Sequence, residues 1–507
     1  MRSFRPTVSP SRFVFPLSLI AIAAIVTSLP QTHADSADDW ALMKPIVPRG
    51  YVCYRAEQPL EIDGKLDDRA WQAVSWTDDF VDIEGEKHPR PRFRTRAKML
   101  WDATHFYIAA ELEEPDLWGT LTKHDSVIFH DNDFEVFIDP DGDNHEYAEF
   151  EINALNTGWD LFLPRPYKDG GRAEDAWEIA GLRTAVHVEG TLNDPSDRDK
   201  GWSVEIAIPW SALREYARRP APPRDGDQWR VNFSRVEWQH TVEGTEYRKV
   251  PDRREDNWVW SPQGIIDMHR PERWGFVQFS TAAPGSARFN LDPSWEARES
   301  LLEIYHRAKG WHQKHGRWPG SLTELGMDLP KDAESSPKLE FKPTPVGFRA
   351  LTTAKLPGGA SQVWSIRQDS RLRPATPDDD LADLIEAILA QQAAAWNAGD
   401  IDAFMEHYWK SDELTFSSGG RVTRGWQTTK DNYKLRYPTR ERMGDLSFGA
   451  LDVTRLGDNA SLVLGRWHLV REPAPIGGNF SLIFRRMDNR LVIVHDHTSQ
   501  EKSPRSE

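Results

Sequence analysis

The chain has 507 residues, 39% hydrophobic and 28% charged, enough for two to four globular domains that each bury a core. Its formal net charge of −16 would repel phosphates, which argues against a nucleic-acid or anionic-membrane partner. A single cysteine, Cys53, excludes an intrachain disulfide, so stability must come from core burial and from any bound metal.

Residues 1–34 open with Arg2, Arg5 and Arg12, continue as an apolar run from Phe13 to Leu29, and end in Thr32-His33-Ala34. That order is the pattern of a cleaved secretory signal peptide. The run is short for a membrane span and is broken by Pro16, Ser18, Thr27 and Ser28. The expectation is an exported protein, periplasmic or extracellular, with no membrane span after cleavage.

Residues 48–282 read as many short strands. Phe106, Ile108, Ala110 and Leu112 alternate with outward positions, as do Phe134, Val136 and Ile138, and Trp202, Val204, Ile206 and Ile208. Period-two alternation between Asp, Gly, Pro and Asn turns predicts an all-β sandwich of about nine strands. Tryptophan is plentiful, 22 against 11 Tyr, and its flat apolar face with a donor at the edge suits a pyranose. One stacked ring contributes about 2.5 kcal/mol, whereas millimolar binding needs about 4 kcal/mol, so a sugar site requires a cluster of groups.

Residues 290–374 form a small α+β unit. Leu301, Leu302, Ile304, Tyr305, Ala308 and Trp311 recur at helical spacing within Trp295–His315, before Gly316 and Pro319. Strand-like runs follow at 339–341, 347–351 and 362–366, and a spacer between larger domains is the expected role. Residues 378–500 predict an α+β domain: a helix over 381–397, Gly399 as its stop, Asp400 capping a second helix over 401–408, then five strands.

Four stretches in order, EIDGKLDDRAW (61–71), NDFEVFIDPDGDNHEYAEFEINALNTGWDL (132–161), GWSVEIAIPWSAL (201–213) and WVWSPQGIIDMHRPERWGFVQF (258–279), together resemble a family 9 carbohydrate-binding module. The resemblance implies a calcium-stabilised sandwich that clamps a terminal sugar between two aromatic rings. By motif, Glu135 matches the family's ligand glutamate, Asn153 an asparagine of the next strand, and Trp260 the second clamp. The first clamp falls on Phe129 in place of the usual Trp, with Trp118 as a substitute face, and Glu151 stands where the family has an arginine. The acidic turn carrying Asp139, Asp141 and Asp143 offers oxygen ligands for calcium, or is a solvated hairpin turn. No organic cofactor is expected, and a saccharide is the expected ligand.

A sugar-cleaving barrel needs about 250 residues, and the three blocks leave no such stretch, so the chain is not expected to be a glycosidase itself, although family 9 modules accompany such enzymes. A haem-carrying sandwich would need axial ligands such as Met99 or Met268.

AAWNAGDIDAFMEHY (394–408), GRVTRGW (420–426), GRWHL (465–469), GGNFSLIFRR (477–486) and VIVHDHTS (492–499) resemble the nuclear transport factor 2-like superfamily, near its SnoaL-like and kinase-association branches. That implies a curved sheet wrapped around helices to form a cone, with a homodimer through this domain as the partner arrangement. Leu491, Ile493, His495 and His497 are expected on one face of the last strand, which makes His495 and His497 candidates for chelating a metal or for acid–base chemistry, or for structural hydrogen bonds at the pocket mouth or a dimer edge.

Overall fold

The computed structural model describes residues 36–327, 338–471, 476–488 and 490–500; the expected signal segment lies outside them. Twelve strands share one hydrogen-bonded sheet that folds over on itself. One half runs in the order Gly158–Leu163, Tyr147–Asn153, Asp133–Asp139, Gln228–Glu237, Gly275–Ser280. The other runs Thr95–Trp101, His105–Glu113, Gly201–Pro209, Arg183–Glu189. Gly50–Arg55 joins the halves, pairing in parallel with Phe276–Ser280 along most of its length and with Leu100–Trp101 at its end.

The alternating residues explain why the halves close. Phe134, Val136, Ile138, Phe150, Ile152, Val231 and Phe233 from one half share a buried cluster with Phe106, Ile108, Ala110, Val204, Ile206 and Ile208 from the other. This is the expected β-sandwich. The sheet holds about three strands more than expected, and two of its strands, Val81–Asp82 and Asp256–Val259, are too short to show alternation.

The second core is built around the helix Trp295–His315, which ends at Gly316 with φ +68°. Leu301, Leu302, Ile304, Tyr305 and Ala308 pack on Phe348, Ala350, Trp364 and Ile366 of a four-stranded antiparallel sheet. An N-terminal helix, Ser36–Met43, completes this core, stacking Trp40 on His306 at 4.9 Å. The residues that precede the sandwich in sequence therefore pack on a helix that follows it.

The C-terminal domain is a six-stranded sheet against the helix Asp379–Asn397, which ends before Gly399 (φ +81°). Asp400 accepts the Ala403 amide at 2.9 Å and caps the short helix Ile401–Phe404. Two further helices, Trp426–Arg436 and Arg440–Met443, were not expected from the sequence. The last strand, Arg490–Thr498, changes register against its neighbour between Ile483 and Phe484. That bulge corrects the expected alternation: Ile493 and Asp496 are buried, whereas His495 is half-buried and His497 is exposed.

Candidate functional site

Asp133, Glu135 and Phe137 alternate with core residues, so they project from the outer face of the sandwich. Register sets Glu135 directly opposite Glu151 on one neighbouring strand and opposite Ser234 on the other, with Phe137 opposite Glu149. One carboxylate oxygen from each of Asp133, Glu135 and Glu151 lies within 4.8 Å of the others. Asp133 accepts the Val236 amide at 3.2 Å, and Glu151 accepts the Phe129 amide at 3.0 Å.

Burial pushes Glu135 up to about 7. Burial and then Glu135 raise both Glu149 and Glu151 well above the ordinary carboxylate range, and Asp133 follows for the same reasons. Carboxyl groups held neutral can donate as well as accept, which suits a hydroxyl-rich ligand.

Aromatic residues border this floor. Phe129 is half-buried beside Glu151, and the Trp238 indole N–H donates to the Phe129 carbonyl at 2.8 Å. The Lys249 ammonium lies 3.5 Å from the Trp238 ring centroid. Trp159 is paired with Glu151 across the next strand, on the same face. At the other end Tyr167 is exposed and its ring meets His269 at 4.5 Å; the His269 Nδ1 lies 2.9 Å from the Tyr147 hydroxyl.

Of the expected sugar residues, Phe129 and Glu135 meet here, together with Glu151. Asn153 is at the end of the same strand, but its groups are engaged: the amide donates to Leu121 at 2.9 Å and Asp131 at 3.0 Å, while its oxygen accepts the Leu155 and Thr157 amides. It fastens the loop that leads to Phe129. Trp260 is corrected outright. It is 1% exposed in the sandwich core, its ring 5.8 Å from that of Phe233, so it presents no face to a ligand. A Cβ on Gly275 would stand 2.4 Å from the Trp260 ring, which shows how closely that space is filled. Trp118 is also buried and offers no substitute face. Sequence reasoning missed Trp159, Tyr167 and Trp238, although Trp159 occupies an outward position in GWDLFL and was open to the same alternation argument.

The turn with Asp139, Asp141 and Asp143 is not a solvated hairpin turn. Asp139 accepts the Gly142 amide at 2.8 Å and the Asn144 amide at 2.9 Å, and Arg371 donates to Asp143 at 2.8 Å. Burial and then Asp143 push Asp139 up to about 7, and the same two causes hold Asp141 well above the ordinary carboxylate range. Burial would raise Asp143 as well, but Arg371 and His145, with the hydrogen bonds each donates to it, together outweigh burial and lower the group. The three carboxylates converge within 4.8 Å, a donor set suited to a hard cation. Met99 lies in the sandwich core and Met268 in a separate cluster with Phe137 and Trp274, so they form no common site.

In the C-terminal domain Asp496 points inward, accepting the Tyr408 hydroxyl at 2.7 Å and the Thr498 hydroxyl at 2.9 Å. His495 pairs with the Thr415 hydroxyl at 2.7 Å. A surface cavity of about 600 Å³ is lined by Asp400, Asp402, Lys434, Tyr437 and Arg440, and neither histidine reaches it. No helix among the described residues is long and apolar enough to cross a membrane.

Residues 62–258 match the family model described as carbohydrate family 9 binding domain-like. No curated protein matches. An NTF-2 like protein of unknown function from Shewanella oneidensis MR-1 matches the C-terminal region with 38% identity, covering 24% of this chain and 99% of its own, at a TM-score of 0.23. A family 9 module from Caldicellulosiruptor kristjanssonii, solved with cellotriose, is 16% identical over 48% of this chain and all of its own, at a TM-score of 0.31. Its glucose complex gives 17% identity, 47% coverage and a TM-score of 0.32.

Proposed function

Because the chain carries a family 9 carbohydrate-binding domain and belongs, in its C-terminal region, to the NTF2-like proteins, we propose that it is an exported accessory protein that holds a saccharide on the outer face of its sandwich. The observation that carries this reading is the meeting of Glu135 with Glu151 beside Phe129. In this reading Phe129 and Trp238 offer apolar faces to the sugar ring, and Tyr167 approaches from the opposite end. Glu135, Glu149 and Glu151 exchange hydrogen bonds with its hydroxyls. Two partial ring contacts plus charged or neutral carboxyl hydrogen bonds reach the roughly 4 kcal/mol that millimolar binding requires.

Calcium belongs to the same reading as a structural ion. Asp139, Asp141 and Asp143 would hold it, and a divalent charge there would relieve the repulsion between buried carboxylates. Pairing of two C-terminal domains would place two sandwiches in one particle and raise avidity without new sugar contacts.

Calorimetric titration of the full chain with cello- and xylo-oligosaccharides, with calcium and after chelation, tests the proposal. Binding at millimolar strength or better is expected, and Glu135→Ala or Trp238→Ala should weaken it about tenfold, the effect of roughly 1.4 kcal/mol. Absence of heat with every sugar in both conditions, or equal affinity in both variants, rejects this face as the site.

A further inference from the structure

A second cluster lies at the strand Gly158–Leu163, formed by two loops that this strand separates in sequence. His124 and Asp125 come from the loop before Phe129, Asp160 from the strand, and Glu178 from the loop beyond it. The His124 Nε2 lies 3.3 Å from Asp125, 3.3 Å from Glu178 and 3.7 Å from Asp160, and one ligand atom from each of the four residues lies within 4.8 Å of the rest. His124, Asp160 and Glu178 line a cavity of about 350 Å³ that also touches Phe150, Gly158 and Thr184.

Two features separate this cluster from an ordinary ion-pair patch. The His124 Nδ1 is 2.9 Å from the Gly158 carbonyl, and a carbonyl only accepts, so Nδ1 carries the proton and Nε2 faces the three carboxylates. A histidine anchored in this way is the usual outer support of a metal-bound imidazole, which fixes ring orientation and leaves Nε2 for the ion. Asp160 is only 1% exposed; one of its oxygens accepts the Ile179 amide, while Oδ1, the atom facing His124, has no hydrogen-bond partner. A buried carboxylate oxygen with no hydrogen bond is costly unless a cation completes it.

The geometry points to a divalent transition-metal site of the zinc or manganese type at His124, Asp125, Asp160 and Glu178. Imidazole with carboxylates favours those ions, whereas calcium takes oxygen ligands only, which sets this site apart from the Asp139–Asp143 turn. An ion there would tie the loop that leads to Phe129 to the loop carrying Glu178.

The test uses the full chain, stripped with chelator and titrated with cobalt as a visible-absorbing probe, then with zinc and with calcium by calorimetry. One cobalt per chain should bind with a ligand-field band that zinc displaces, and calcium should not displace it. His124→Ala should weaken zinc binding about tenfold or more. Its side chain is 53% exposed, so the fold should survive, and Glu178→Gln, also at an exposed position, gives an independent second variant. His88→Ala, at another histidine beside carboxylates, should leave binding unchanged. Zinc affinity unaltered in both His124→Ala and Glu178→Gln, or calcium displacing cobalt, overturns the assignment. Sugar titration of the same variants reads the saccharide proposal separately, since none of the four ligands is among the residues assigned to the sugar.

Discussion

Asp496 sits between His495 and His497 in the chain, yet it alone of the three points into the C-terminal domain, between Tyr408 and Thr498. Burial raises its pKa to about 6. The unfolded chain releases that proton near the ordinary carboxylate value, so the folded state loses stability as pH climbs from about 4 to about 6 and is constant above. Two units correspond to about 3 kcal/mol as an order of magnitude. Asp496→Asn keeps an acceptor for Tyr408 and removes the charge. It should match the parent protein near pH 4 and exceed it in stability by up to about 3 kcal/mol near pH 8, read from urea unfolding midpoints. A constant difference at both pH values would show that Asp496 does not titrate in this way. Residue-scale reading of the sequence was uneven for a physical reason. Motif position picked out Phe129 and Glu135, which both lie beside Glu151, but whether a tryptophan faces outward or into the core depends on what packs across from it, and Trp260 turned inward over Gly275.

Elements with strong local signals were legible. Helix Trp295–His315 carries six apolar residues at helical spacing and a glycine stop, and its ends in the structure are those the spacing predicts. The Asp400 cap is equally local, because its carboxylate needs only the amide three residues on. Asp400→Ala should therefore cost about 1 kcal/mol, visible as a lower urea midpoint with unchanged slope. An unchanged midpoint would mean that neighbouring packing, not the cap, sets the start of that helix. Helix Trp426–Arg436 escaped notice because only Thr429 in it is buried, so it has no apolar stripe to read. The bulge opposite Ile483 and Phe484 was hidden for a different reason. One extra residue reverses which side chains face inward, and only the partner strand reveals it.

Across the whole molecule, the middle unit is a hub and not a spacer, and its arginines make the connections. Arg371 donates to Asp143 and Glu146 of the sandwich, and beside it the Leu372 amide donates to the Asp143 carbonyl at 3.0 Å, while the Asn144 side chain donates to the Ser370 carbonyl at 2.9 Å. Arg298, from the long helix, donates to the Gly142 carbonyl at 2.8 Å. On the other side Arg349 pairs with Asp379 and Asp383, and Arg367 with Glu386, all on the first helix of the C-terminal domain. The sequence showed the acidic turn but not its arginine partner, which lies 228 residues away. Because Asp143 is buried, removing Arg371 leaves an uncompensated charge and should cost about 3–5 kcal/mol, far more than an exposed pair would. Arg371→Met keeps most of the apolar stem and removes only the donors. Scanning calorimetry of the parent chain should show the sandwich and middle unit unfolding together, since each completes the other's hydrogen bonds. In Arg371→Met the transition should fall and divide in two, with the sandwich separating from the middle unit. Should the variant retain one transition at the parent temperature, the turn at Asp139–Asp143 would owe its order to something other than this arginine, and the calcium reading would become the stronger account of how those carboxylates are held together.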